Sequence, residues 1–149
     1  MKLNRILDIR ERKELTQQEL ANIVGGSRTI ISRWENKKDT PNIIRINKLA
    51  NELNYSLDYI FNLTNMENYN DIVNKDINKV LVGERIKELR IKNNLKNREL
   101  ARILNTSSST ISAYETGKTL LLTAFAIEIC KKYNVSMDWL YGKRNNYKL

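Results

Sequence analysis

In the run SRTIISRWE, from Ser27 to Glu35, arginine, serine and threonine alternate with apolar residues at helical spacing. Ile30, Ile31 and Trp34 fall on one side, which leaves Arg28, Thr29, Ser32 and Arg33 on the other. Such a face suits recognition of base edges. A guanidinium can donate two parallel hydrogen bonds to guanine O6 and N7, and a threonine methyl can pack on the methyl of thymine. Bond-breaking chemistry has no comparable set of residues. The chain has no histidine, one cysteine and no glycine-rich phosphate loop, and no nucleophile stands beside a base at a recognisable spacing. It is therefore read as non-enzymatic, with no metal and no cofactor.

The elements that must hold this face begin at Thr16. Leu20, Ala21, Ile23 and Val24 form one helical pattern, Gly25-Gly26 interrupts it, and the run above resumes it. Thr16 and Glu19 have the spacing of a capping box, and Ser27 can accept from the open amides of the next helix. Gly25 can take the positive φ of a tight corner, and the small Ala21 lets the two helices cross closely. Two short helices with this corner are the anatomy of a helix-turn-helix, whose second helix enters the DNA major groove. Gln17 and Gln18 open the first helix of the pair, and with Ser27 at the start of the second they are candidate DNA contacts. Asn36, Lys37 and Lys38 follow the second helix and would position the unit without reading sequence.

The string TQQELANIVGGSRTIISRWENKKDTP, followed by KLANELNYSLDYI, resembles the Cro/cI-type (XRE-type) helix-turn-helix repressors of phages and bacteria. The likeness covers about sixty residues without a gap and includes the glutamine opening the second helix, the W-E-N ending the third, Pro41 and the S-x-D-Y-I turn. It implies a phosphate contact for Gln17. It also implies an ion pair between the first helix and the end of the third, here Arg10 with Glu35 and, in the copy described next, Arg90 with Glu115. The function implied is transcriptional regulation by a repressor that occludes a promoter.

Shifting the sequence by eighty positions lays it on itself: Arg5 on Arg85, Arg10 on Arg90, Glu19 on Glu99, Ser27 on Ser107, Glu35 on Glu115 and Asp58 on Asp138. The expectation is an all-α chain of two tandem five-helix, lambda-repressor-like helix-turn-helix domains, at residues 1–63 and 83–149. Within the first, helices are expected from about Asn4 to Lys13, at the two just described, from Ile43 to Leu53, and after Ser56. Residues 64–82 form a linker in which Tyr69, Ile72, Val73, Ile77, Val80 and Leu81 share one face at helical spacing, so a linker helix is predicted that ends near Gly83.

The second copy departs from the first where bases would be read. Arg28, Thr29 and Arg33 become Ser108, Ser109 and Ala113, Gln17 becomes Asn97, and Lys96 replaces the capping Thr16. Its candidate contacts are Lys96, Asn97, Arg98, Ser107, Ser108, Ser109, Ser112 and Lys118. Leu121 in place of Pro41 predicts a differently shaped loop before the fourth helix. This copy is nevertheless the more basic, with 13 basic and 6 acidic side chains in residues 83–149 against 11 and 8 in residues 1–63, which suits phosphate binding with little discrimination or small side chains that allow close approach to the groove.

With a net charge of +9 the whole chain suits an anionic partner. Its longest apolar run, Leu120 to Ile127, is far short of the ~20 residues a membrane span needs. The charged N-terminus is unlike a secretory signal, and a cytoplasmic location is expected. Double-stranded DNA is the expected partner, together with a second copy of the chain or a regulatory protein. A rival reading is an interaction module of antitoxin or antirepressor-target type, in which one copy binds DNA and the other a protein.

Overall fold

Local capping chemistry fixes where the helices of the first unit begin. Thr16 Oγ1 accepts from the Glu19 N–H at 3.0 Å while the Glu19 carboxylate accepts from the Thr16 N–H at 3.1 Å, so the capping box is complete. Gly25 closes that helix in the left-handed conformation at φ 71°, and Ser27 caps the next by accepting from Ile30 N–H. Asn42 and Ser56 do the same for the fourth and fifth helices. The resulting order in this computed structural model, which describes residues 4–149, is α1 (Ile6–Arg12), α2 (Gln17–Val24), α3 (Arg28–Glu35), α4 (Ile43–Leu53) and α5 (Leu57–Ile60). Residues 1–3 of the expected 1–63 domain lie outside the described residues.

The second unit repeats the order as α6 (Lys79–Lys92), α7 (Asn97–Ile103), α8 (Ser108–Glu115), α9 (Thr123–Tyr133) and α10 (Met137–Leu140). All ten helices of the described residues belong to one unit or the other, and the extended pairing among those residues is a single bridge, Ile72 with Arg144. Each core is the apolar stripe of its own helices. Ile6, Leu20, Ala21, Ile31, Ile46 and Leu57 are fully buried in the first, and Leu100, Ile111, Ala126 and Met137 are buried in the second. Ala21, with no exposed surface, sits where α2 meets α3, as its small size predicts.

The linker is not helical over residues 64–78, contrary to the helix expected for 64–82; only Lys79 to Val82 are, as the first turn of α6. The apolar residues have helical spacing, but each half of the segment bonds to its own unit instead. Ser56 N–H donates to the Glu67 carbonyl at 2.6 Å, Ser56 Oγ donates to the Met66 carbonyl at 3.0 Å, and Tyr69 Oη donates to Asp58 at 2.8 Å. Further on, Val73 N–H donates to the Lys143 carbonyl at 2.8 Å and Asn74 Nδ2 to the Gly142 carbonyl at 3.1 Å. Asparagine-rich chain has low helix propensity, so these tertiary bonds outweigh the weak apolar periodicity. The chain divides into two compact units between Asp71 and Ile72, within the expected linker.

Helix α6 also begins earlier than the repeat predicts, at Lys79, because Asn78 Oδ1 caps it by accepting from Val80 and Leu81 N–H. The loop at Leu121 is not reshaped as expected. Pro41 and Leu121 are both buried, and the turn before each keeps one left-handed residue, Lys37 at φ 60° and Gly117 at φ 74°.

The added turn of α6 brings Gly83 against the end of α8. A Cβ built there would lie 2.3 Å from the Tyr114 carbonyl oxygen and 2.8 Å from that of Glu115, both of them backbone atoms that cannot swing aside. Gly83→Ala should therefore destabilise the second unit by about 1–3 kcal/mol. Because Trp34 lies in the first unit and Trp139 in the second, denaturant titrations of the two single-tryptophan variants check this: the transition seen by Trp139 should move to lower denaturant.

Candidate nucleic-acid interface

The exposed face of α3 depends on how that helix is held. Arg10 grips Glu35 with two hydrogen bonds, Nε to Oε2 at 2.6 Å and Nη2 to Oε1 at 3.0 Å, and Nη1 reaches the Leu15 carbonyl at 3.0 Å. The pair is largely enclosed, with side chains 18% and 5% exposed, and the hydrogen bond to Glu35 raises the Arg10 pKa against the opposing effect of burial. Arg90 and Glu115 repeat the fork at 2.7 and 3.0 Å, with Leu95 in the place of Leu15. Both ion pairs implied by the resemblance are therefore present. They tie the first helix and the loop before the second to the last residue of the recognition helix.

Gln17 joins this network, since its Nε2 donates to Glu35 Oε1 at 3.0 Å. One amide hydrogen is engaged there, which leaves the other and the carbonyl oxygen for a further partner. Gln18 is exposed and donates to Asn22 Oδ1 on the next turn. In the second unit the shorter Asn97 does not have the same partner: its Nδ2 donates to Ser112 Oγ at 3.0 Å, while its buried Oδ1 has no hydrogen-bond partner. An orphaned acceptor of this kind costs about 1–3 kcal/mol.

On α3 itself, Arg28 and Thr29 occupy the first turn and are exposed, as are Ser108 and Ser109 on α8. Ser27 and Ser107 are occupied as caps, accepting from Ile30 N–H at 3.3 Å and Thr110 N–H at 3.2 Å. Ser32 lies half-buried and takes a bond from Asn36 Nδ2 at 3.3 Å, so Asn36 is turned back on its own helix. Lys37, Lys38, Lys96, Arg98 and Lys118 are exposed. Lys96 caps α7 with no side-chain hydrogen bond, yet Glu99 still accepts from its N–H at 2.9 Å, so half of the capping box survives.

Two residues at this surface were not singled out from the sequence. Asp39 forms a forked ion pair with Arg33, which holds the Asp39 carboxyl below its ordinary range. Six residues separate them, a distance that helical neighbour rules do not cover. Arg45 of α4 donates to the Gly25 carbonyl and pins the corner of the motif. Its counterpart Phe125 packs edge-on to Tyr114 instead, 6.3 Å between ring centres.

Comparison with known proteins agrees with this anatomy. A family described as "Helix-turn-helix" matches residues 6–60, and one described as "Helix-turn-helix domain" matches residues 83–145. Antitoxin PezA of Streptococcus pneumoniae serotype 4 (strain ATCC BAA-334 / TIGR4) is 39% identical over 63 residues, which cover 42% of this chain and 40% of the antitoxin. The chain thus matches less than half the length of that curated relative. No solved structure matches. The chain carries two XRE-type helix-turn-helix domains in tandem. No described helix is long and apolar enough to cross a membrane.

Removing Glu35 would leave the Arg10 guanidinium and the Gln17 amide without their shared acceptor. Glu35→Ala should cost the first unit about 2 kcal/mol, whereas Arg28→Ala, on an exposed face, should stay within about 0.5 kcal/mol. Denaturant unfolding followed at Trp34 measures both.

Proposed function

We propose that this pair of XRE-type domains is a sequence-specific DNA-binding transcriptional regulator, a repressor of phage or mobile-element type that acts in the cytoplasm by occluding a promoter. The observation that carries the reading is the exposed first turn of α3, with Arg28 and Thr29, on a helix whose far end is locked by the Arg10–Glu35–Gln17 network. A helix so fixed loses little freedom when it enters a major groove. Gln17, Gln18, Ser27, Asn36 and Lys38 then serve the phosphate backbone, and Arg28, Thr29, Ser32 and Arg33 the base edges.

The second domain offers hydroxyls from Ser107, Ser108, Ser109 and Ser112 and charge from Lys96, Arg98 and Lys118, with Asn97 behind them. It binds backbone more than it discriminates sequence. A second reading, in which one domain binds DNA and the other a protein, has one observation in its favour: the relative bears the name antitoxin. Co-migration of the full chain with a stoichiometric protein partner, retained when Arg28 is replaced, would favour that reading over regulation by DNA binding alone.

Selection of duplexes from a random pool by the full chain should enrich a defined site. Arg28→Ala should weaken that site roughly tenfold or more and relax preference at one position, since a bidentate contact carries ~1–3 kcal/mol of discrimination. Ser108→Ala should do less. Lys118→Ala should weaken specific and scrambled duplexes alike and lower the salt slope by about one, because counterion release is blind to sequence. Equal loss of specificity from Ser108→Ala and Arg28→Ala would show that both domains read bases.

A further inference from the structure

We infer that Asp39 is a specificity-determining positioning residue, which holds Arg33 as a donor for base edges and keeps it from acting as a free cation for phosphate. The inference rests on the sequence-specific DNA binding proposed above. Arg33 lies in the last turn of α3, and Asp39 in the loop that follows. The two side chains are about half exposed, 48% and 49%, and so lie at the surface that α3 presents. Arg33 Nε donates to Asp39 Oδ2 at 2.5 Å and Nη2 donates to Oδ1 at 3.1 Å.

The geometry of that fork leaves a defined remainder. A guanidinium has five N–H groups, and the carboxylate occupies the edge formed by Nε and one Nη2 hydrogen. Both Nη1 hydrogens and the second Nη2 hydrogen are left, and one Nη1 hydrogen with the remaining Nη2 hydrogen forms the end-on edge that can bond guanine O6 and N7 in parallel. The side chain loses rotamer freedom to the ion pair before DNA arrives, so less is lost on binding. Its charge is also matched by a carboxylate held against it. A paired arginine gains less from a phosphate than a free one, and sequence-blind attraction falls. The second domain has Ala113 and Thr119 at the corresponding places, so this device belongs to the first domain alone.

The test uses the full chain with Asp39→Asn, Asp39→Glu, Arg33→Ala and the double variant Arg33→Ala/Asp39→Asn. Each is titrated against the duplex enriched by the wild type and against a scrambled duplex, over a series of salt concentrations. Asp39→Asn should tighten binding to the scrambled duplex several-fold and steepen its salt slope by about one. It should also lower the ratio of specific to scrambled affinity about tenfold, while Asp39→Glu keeps the wild-type ratio. In the Arg33→Ala background, Asp39→Asn should leave that ratio unchanged, which separates positioning of Arg33 from simple removal of a negative charge. A ratio for Asp39→Asn within twofold of wild type, or an equal effect with and without Arg33, overturns the inference while leaving sequence-specific binding intact. A wild type that binds enriched and scrambled duplexes equally overturns both.

Discussion

The fork between Arg10 and Glu35 is the constraint from which the recognition surface of the first domain follows. A helix of eight residues has little stability by itself, and its direction is set by what holds its ends. One end of α3 is fixed by Ser27 and the corner at Gly25. The other is fixed by a carboxylate that answers three donors at once, two N–H groups on one edge of the Arg10 guanidinium and the Gln17 amide. Because the guanidinium also takes the Leu15 carbonyl, α1, the loop before α2 and the end of α3 share one bonded centre. Enclosed ion pairs often give little net stability compared with apolar packing. Their contribution here is directional: a planar fork permits only one angle between the elements it joins.

The two domains use this centre to different ends. In the first, the long Gln17 reaches the carboxylate, Arg45 seals the corner, and the reading face carries two arginines and a threonine. In the second, Asn97 turns to Ser112, Phe125 stands in the place of Arg45 and packs on Tyr114, and small hydroxyls stand on the first turn of α8. The core frame has been kept while the polar chemistry around it has changed. Such a division fits a chain in which one domain selects a site and the other, with 13 basic residues over 83–149, adds affinity of little selectivity.

Much of this was legible in the residues because it rests on local rules. Capping at Thr16, Ser27 and Ser56, the corner at Gly25 and the bounds of α4 follow from side-chain chemistry within four positions. The ion pairs came through the family resemblance, which carries information about distant pairs that periodicity lacks. The segment between the domains was misread for the converse reason. Its apolar spacing fits a helix, but the bonds that decide it come from Ser56, Asp58 and Lys143, which no local pattern reveals. Asp39 escaped notice because its partner lies around a turn, and Lys37 and Lys38 beside it made the loop look uniformly basic.

The extended tail behind each fifth helix bears on what each unit of this chain must contain. Arg5 donates to the Thr64 carbonyl at 2.6 Å and to Asn65 Oδ1 at 2.8 Å, and Ser56 N–H takes the Glu67 carbonyl. Eighty positions later Arg85 donates to the Arg144 carbonyl at 2.9 Å and to Asn145 Oδ1 at 3.4 Å, and Ser136 N–H takes the Tyr147 carbonyl. The strap is thus part of what repeats, along with the arginine that donates to it. Five helices without the strap would leave the serine amide without its carbonyl partner, and each guanidinium would keep only the carbonyl of its fifth helix, Tyr59 or Trp139. A unit that includes its strap carries the partners its own frame requires, so the side chains outside that frame can differ between the two copies without the frame being rebuilt.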